Sequence, residues 1–189
     1  MTRSRSTGLV SLLICLALVV LITVLAPDPA AQARRRFDDV TIGQSGELRN
    51  AVVRATGVRL TRSVSKQYEG TFDSAATLVL VDVEADVRRE QVYFSTVRLH
   101  TTDDHDYLPR SEFISQGLAL TQPGFTRRGT LVFEVPPDRT VGARLIIDRD
   151  AAAFDVLAVA VRVDLGLTST TPVLPGPLAV ANSVLEVTR

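Results

Sequence analysis

The chain has 189 residues with 21 Lys plus Arg balanced by 21 Asp plus Glu, so it lacks the net field that gathers nucleic acid, and nucleic acid is set aside as a partner. Its one cysteine, Cys15, lies within an apolar stretch, which leaves the remainder without a disulfide framework or a thiolate metal site. The part of the chain beyond that stretch has the length of one domain, large enough to bury a core without staples.

A short leader, residues 1–7, precedes an uncharged run from Gly8 to Ala26. As a helix rising 1.5 Å per residue that run covers about 28 Å, close to the hydrocarbon thickness of a bilayer. Pro27 and Pro29 end it, because proline cannot donate to the helix and clashes with the preceding turn. Two readings stand. Residues 8–26 are a retained transmembrane helix that holds the chain in the membrane, or they are the core of a signal peptide cut after Ala31-Gln32-Ala33, where small residues suit a signal peptidase. In both, the C-terminal domain lies outside the cytoplasm. Ile14 before Cys15 argues against a lipoprotein. Arg34, Arg35 and Arg36 fall in the linker assigned to residues 27–45, at headgroup level for an anchored chain.

The domain is expected over residues 46–189. Apolar residues there recur at every second position, the period of a pleated strand, and no stretch keeps a 3.6-residue period. In chain order, Leu48 to Ala55 reads as a weak strand, and Gly57 separates it from a second that carries Val58, Leu60 and Val64. Leu78 to Val87 is apolar on both faces at its start, as a covered central strand would be. Arg88-Arg89-Glu90 reads as a hairpin link to a strand from Val92 to Leu99, followed by an Asp-rich turn. Leu131, Phe133 and Val135 alternate up to Pro136-Pro137, where a strand must stop. Ala143 to Ile147, Val156 to Leu165 and Leu178 to Val187 complete eight or nine strands, the last after a Thr/Pro/Gly loop from Thr168 to Pro177. Short strands without crossover helices predict an all-β fold, an antiparallel sandwich of two sheets, with a closed barrel as the alternative.

The stretch from Leu118 to Pro137, with its Pro123-Gly124 turn and Gly129-x-Leu-x-Phe-x-Val-Pro136 strand, resembles the signature of telokin-like immunoglobulin-fold domains in exported bacterial proteins. Leu78 to Val87 and Leu99 to Tyr107 resemble the same family, so the likeness spans roughly residues 46–148. It implies an immunoglobulin-like sandwich behind an export signal or anchor, and it implies no catalytic residues. Two departures stand out. The family's central strand often ends in Asn where this chain has Glu84-Ala85-Asp86, and residues 149–189 run past the usual end, where added strands would be the subfamily's own working part.

One cluster has the residue types for chemistry. His100-Thr-Thr-Asp-Asp-His-Asp106 places both histidines and three carboxylates at a hairpin tip, where they would meet a divalent cation. Its spacing fits neither a helical His pair nor a calcium loop, and Asp favours exposed turns for its own backbone bonding, so a plain turn is the expectation and no metal site is assigned. Ser111 beside Glu112 lacks the elbow of a hydrolase nucleophile, and no enzyme activity is expected. Gly117, Gly124, Gly129, Gly142 and Gly166 are isolated, so no nucleotide cofactor is expected. Arg88-Arg89 and Arg127-Arg128 are candidate contacts for an acidic partner, and the stiff Thr168 to Pro177 loop is a candidate binding surface. The function expected from the whole is a non-catalytic envelope module that binds or supports another protein through loops or a sheet edge.

Overall fold

The computed structural model describes residues 36–66, 70–94, 96–111, 113, 118, 121–148, 159–180 and 182–188. The predicted membrane helix, the cleavage site at Ala33, Cys15 and Arg34-Arg35 lie outside these residues. Among the described residues no helix is long and apolar enough to cross a membrane.

Among the described residues, eleven strands form two sheets. In chain order they are β1 (Arg36–Thr41), β2 (Ser45–Leu48), β3 (Ala51–Lys66), β4 (Gly70–Val87), β5 (Thr96–His100), β6 (Asp106–Tyr107), β7 (Phe125–Val135), β8 (Arg144–Asp148), β9 (Val159–Asp164), β10 (Val173–Val180) and β11 (Val184–Val187). Sheet A runs β1-β9-β8-β5-β6, and sheet B runs β10-β3-β4-β7-β11, with β2 paired to the first half of β3. The architecture is a β-sandwich, and the main core lies between the inner faces of the sheets. Val79, Val81, Val83, Ala85 and Val87 of β4 meet Leu131, Phe133 and Val135 of β7 there, against Leu99, Leu145, Ile147, Val161 and Val163 from sheet A. Burying a side chain of this kind contributes about 2 kcal/mol, which is why the alternating pattern fixes which face turns inward.

β4 begins at Gly70, earlier than the expected Leu78, and the doubly apolar stretch from Leu78 in its middle has its reason as well. Leu78 and Leu80 point away from the main core into a second cluster on the outer face of sheet B, with Val64, Val132, Phe113 and Val180. Past residue 81 the outer positions become Asp82, Glu84 and Asp86, and that half of the face is polar.

Several expectations are corrected. The sandwich is mixed: β1 runs parallel to β9, and β10 runs parallel to β3. The domain boundary drawn at 46 falls too late, because residues 36–41, read as linker, form β1. Two aspartates hide its alternation, and a bidentate pair from Arg162 to Asp39, at 2.5 and 2.8 Å, ties it to β9. Gly57 does not separate two strands. β3 is continuous, and the register shift between Ala55 and Gly57 is a bulge at Thr56. Arg88-Arg89-Glu90 is not a hairpin link, since β4 and β5 lie in different sheets. The crossing segment is held by Val92 and Thr121 through reciprocal backbone bonds of 3.1 and 3.0 Å, so β5 starts at Thr96.

The C-terminal strand also divides. Half of the Thr168 to Pro177 loop is β10, and Val184–Val187 is a separate β11 at the opposite end of sheet B. Prolines 175 and 177 are tolerated because β10 is an edge strand. Its register shifts between Leu174 and Pro177, and the buried Thr61 hydroxyl lies 3.2 and 3.1 Å from the Leu174 and Gly176 carbonyls. The segment past residue 148 is therefore built into the sandwich: β9 is an inner strand of sheet A, and β10 and β11 close the two ends of sheet B.

One glycine is required by packing between the sheets. A Cβ on Gly46 of β2 would stand 2.4 Å from the Val161 Cγ1 of β9, closer than atoms can approach, so only glycine lets β2 lie on β9 there.

Candidate functional site

The β5–β6 hairpin brings together the His and Asp residues of the 100–106 cluster. β5 places His100 half-buried at its end, and the chain turns through Thr101 to His105, with Asp104 at φ 63°. Asp tolerates that left-handed conformation better than most residues. The turn is pinned by Thr101, 1% exposed. Its hydroxyl donates to Asp103 Oδ1 at 2.5 Å, and its amide donates to the His105 carbonyl at 2.9 Å.

Each acidic and imidazole group except Asp104 is held close by a neighbour. The Asp106 carboxylate bridges His100 Nδ1 at 2.8 Å and Arg98 Nε at 3.1 Å. Asp103 receives Arg139 Nε at 3.0 Å, and Arg139 also donates to the Tyr107 hydroxyl at 3.0 Å. His105 Nδ1 lies 2.9 Å from the Asp103 carbonyl. The Thr101 hydroxyl, then the Arg139 charge, hold the Asp103 carboxyl below the usual carboxylate range. Asp104, 97% exposed at its side chain, approaches His100 Nε2 only to 3.8 Å. His105 Nδ1 also stands 3.1 Å from Asp103 Oδ2, so the two imidazoles lie closest to different carboxylates. Among the described residues no three His, Cys, Asp or Glu side chains converge as a metal ion requires.

The remaining candidate residues are dispersed. Ser111 is described and Glu112 is not. Arg127 turns inward, donating to the Thr121 and Ser183 hydroxyls at 3.2 and 2.9 Å. Arg128 turns outward to Glu84 at 3.5 Å and Glu186 at 3.3 Å. Arg88 stands 3.9 Å from Glu47, and Arg89 is exposed.

A feature that the sequence pattern does not announce occupies the outer face of sheet B. Arg54 of β3, Glu84 of β4 and Arg128 of β7 stand opposite one another as a row of alternating charge that meets Val184 of β11, beginning with an Arg54–Glu84 pair at 3.0 Å, and Arg128 also reaches diagonally to Glu186, which faces Thr126. Beside it Arg59 and Thr130 both donate to Asp82, at 2.8 and 2.7 Å, and Thr188 donates to Asp86 at 2.9 Å. These rows floor an open groove of about 340 Å³ that reaches Asn182 and Val184. The row ends at β11, all four of whose residues are exposed: Val184 50%, Leu185 47% and Val187 71% are among the most exposed large apolar side chains. The break at Asn182-Ser183 was the available signal for a separate strand. The charge row could not be read without the strand register.

No protein-family model matches the chain, and no curated protein matches it. Solved structures that it resembles include the yjhA protein from Bacillus subtilis, at 14% identity and a TM-score of 0.48 over 66% of this chain and 99% of that one. A conserved hypothetical protein from Bacillus anthracis aligns at 12% identity and 0.45, over 59% of this chain and 89% of that one. An uncharacterized β-sandwich protein from Clostridium difficile aligns at 12% identity and 0.41, over 72% and 98%.

Proposed function

We propose that the chain is a non-catalytic, membrane-tethered module of the telokin-like immunoglobulin kind, carried outside the cytoplasm and engaging another protein of the cell envelope. The observation that carries the interaction part is β11, an exposed apolar edge strand at the end of sheet B. Such a strand presents a row of backbone donors and acceptors that natural sandwiches normally blunt, and it suits an extended segment that adds to the sheet. The tether rests on the uncharged Gly8 to Ala26 stretch. Ala31-Gln32-Ala33 favours a second reading, a secreted β-sandwich binding protein released by cleavage near Ala33.

Fractionation and intact-mass measurement of the mature protein from its native cells separate the two. A full-length chain in the membrane fraction, co-extracted with a reproducible partner by mild detergent, is the expected result. A fragment beginning near Arg34 and recovered alone from the medium would overturn the tether and leave the soluble binding protein.

A further inference from the structure

His100, at the end of β5, has a carboxylate beside each ring nitrogen. Nδ1 lies 2.8 Å from Asp106 Oδ1 of β6, and Nε2 lies 3.8 Å from Asp104 Oδ1 in the turn. An ionised carboxylate only accepts hydrogen bonds, and a neutral imidazole carries a single N–H. The neutral ring therefore donates to Asp106 from Nδ1 and leaves Nε2 as a bare lone pair on the side of Asp104. The protonated ring donates from both nitrogens. One proton thus turns the second contact from two acceptors facing each other into a charge-assisted pair.

The charged groups around the ring decide how far that proton acts. On β6, Asp106 is shared with Arg98, which stands two residues before His100 on the same face of β5. On β8, Arg144 lies directly opposite His100 in the register, and Asp164 of β9 lies opposite Arg144. Arg144 opposes a positive ring, but its side chain is exposed, where water and salt screen it. His105 and Arg139 are taken up by Asp103. Asp104 is the carboxylate of the tip that no arginine meets among the described residues, and an imidazolium is the cation within its reach. Its side chain is 97% exposed, so the gain is small and confined to the turn.

The turn is fixed unevenly. Thr101 anchors its inner side, whereas Asp104, at φ 63°, is tied back by its amide bond to the Thr101 carbonyl at 3.2 Å. We infer that the β5–β6 tip is a pH-sensitive latch, in which protonated His100 bonds Asp104 as well as Asp106 and draws the outer side of the turn onto the end of β5. Imidazoles change charge between about pH 5 and 8, a range in which ordinary carboxylates stay ionised. The extra bond is present on the acid side of that range and is lost as pH rises through it. The latch acts on the tip alone and stands or falls apart from the interaction reading of β11.

The test is amide hydrogen exchange of the full chain in mild detergent at low salt, at pH 5 and pH 8, with rates corrected for the intrinsic effect of pH on exchange. Protection over residues 102–105 should be about two- to fivefold greater at pH 5, the range of an exposed ion pair. His100→Gln, which cannot titrate, should bring the ratio between the two pH values to one. Asp104→Gly, which keeps the positive φ and removes the carboxylate, should do the same. His105→Gln should leave the ratio as in wild type. Reading the ratio within each variant keeps the test valid where a substitution loosens the turn at both pH values. Equal protection at the two pH values in wild type would overturn the latch. So would a ratio that survives His100→Gln or Asp104→Gly, or one abolished by His105→Gln, which would assign the response to the other imidazole.

Discussion

The β5–β6 hairpin tip and the β11 edge are opposites. The tip holds both histidines and three carboxylates, the side chains from which metal and acid–base sites are made. Most of them are already engaged: Asp106 by His100 and Arg98, Asp103 by Thr101 and Arg139. β11 has a single charged side chain, paired with Arg128, and no reactive group, yet among the described residues its apolar side chains are exposed and its outer edge has no partner strand. Capacity to bind follows from unsatisfied groups more than from residue type, because a charge already paired must lose its partner before it takes another.

This contrast can be broken or sharpened in several ways. The largest effect should come from Thr101→Val, which removes the buried hydroxyl that pins the tip. It should destabilise the chain by about 1–3 kcal/mol in urea unfolding, whereas a smaller cost would mean that the tip is less fixed than its bonding suggests. Gly142→Ala acts on the same turn from outside, since Gly142 sits at φ 68° and an added Cβ would lie 2.8 Å from Thr102 Cγ2. A loss of about 1–2 kcal/mol is expected there.

The acid response comes next. The Asp103 and Asp39 carboxyls are held below the usual range, the first mainly by the Thr101 hydroxyl and the second mainly by its bond from Arg162. A depressed native pKa means that the unfolded chain takes up the proton first. The stabilisation is therefore complete above the unfolded carboxylate pKa of about 3.9 and is lost as pH falls through the lower native values. Melting temperature measured from pH 6 downward should hold until about pH 4 and then drop. Asp103→Asn should flatten part of that drop, and an unchanged profile would show that the tip contributes nothing to it.

Leu185→Lys, on the open edge, should alter stability by less than about 0.5 kcal/mol. A larger loss would show that β11 is packed and not open. Smallest of all, zinc or calcium should leave the melting temperature of wild type and of His105→Ala unchanged. A rise in wild type alone would show the tip to hold unsatisfied ligands after all, since a ligand that binds only the native state raises the melting point.

The inner face of the sandwich was readable from the sequence because burial imposes a period of two. Val79, Val81 and Val83, and Leu131, Phe133 and Val135, announced their face, and the Pro123-Gly124 turn announced its corner, with Gly124 at φ 79°. The two-sided covering of Leu78 and Leu80 was legible for the same reason. The illegible features depend on partners distant in the chain. β1 is short and carries two aspartates whose places are set by Arg162 and by the Glu47 amide. The parallel course of β10 beside β3, held near Thr61, cannot be inferred from a Pro-rich segment that looks like a connector. At the hairpin the sequence displayed the residue types, but only the geometry shows which carboxylate each imidazole takes. At β11 the composition was plain, but its position at the end of a row of charges required the register of four strands.

Whether β11 or the hairpin tip is the working surface is tested most directly by mild-detergent extraction of three full-length proteins from the native membrane, with comparison of the proteins that co-purify. The three are wild type, a β11 variant carrying Leu185→Lys with Glu186→Arg, and a hairpin variant carrying Asp103→Asn with His105→Ala. The wild-type partner should be retained by the hairpin variant and lost by the β11 variant. A partner kept by the β11 variant and lost by the hairpin variant would contradict the assignment to β11, and would move the working surface of the molecule to the tip.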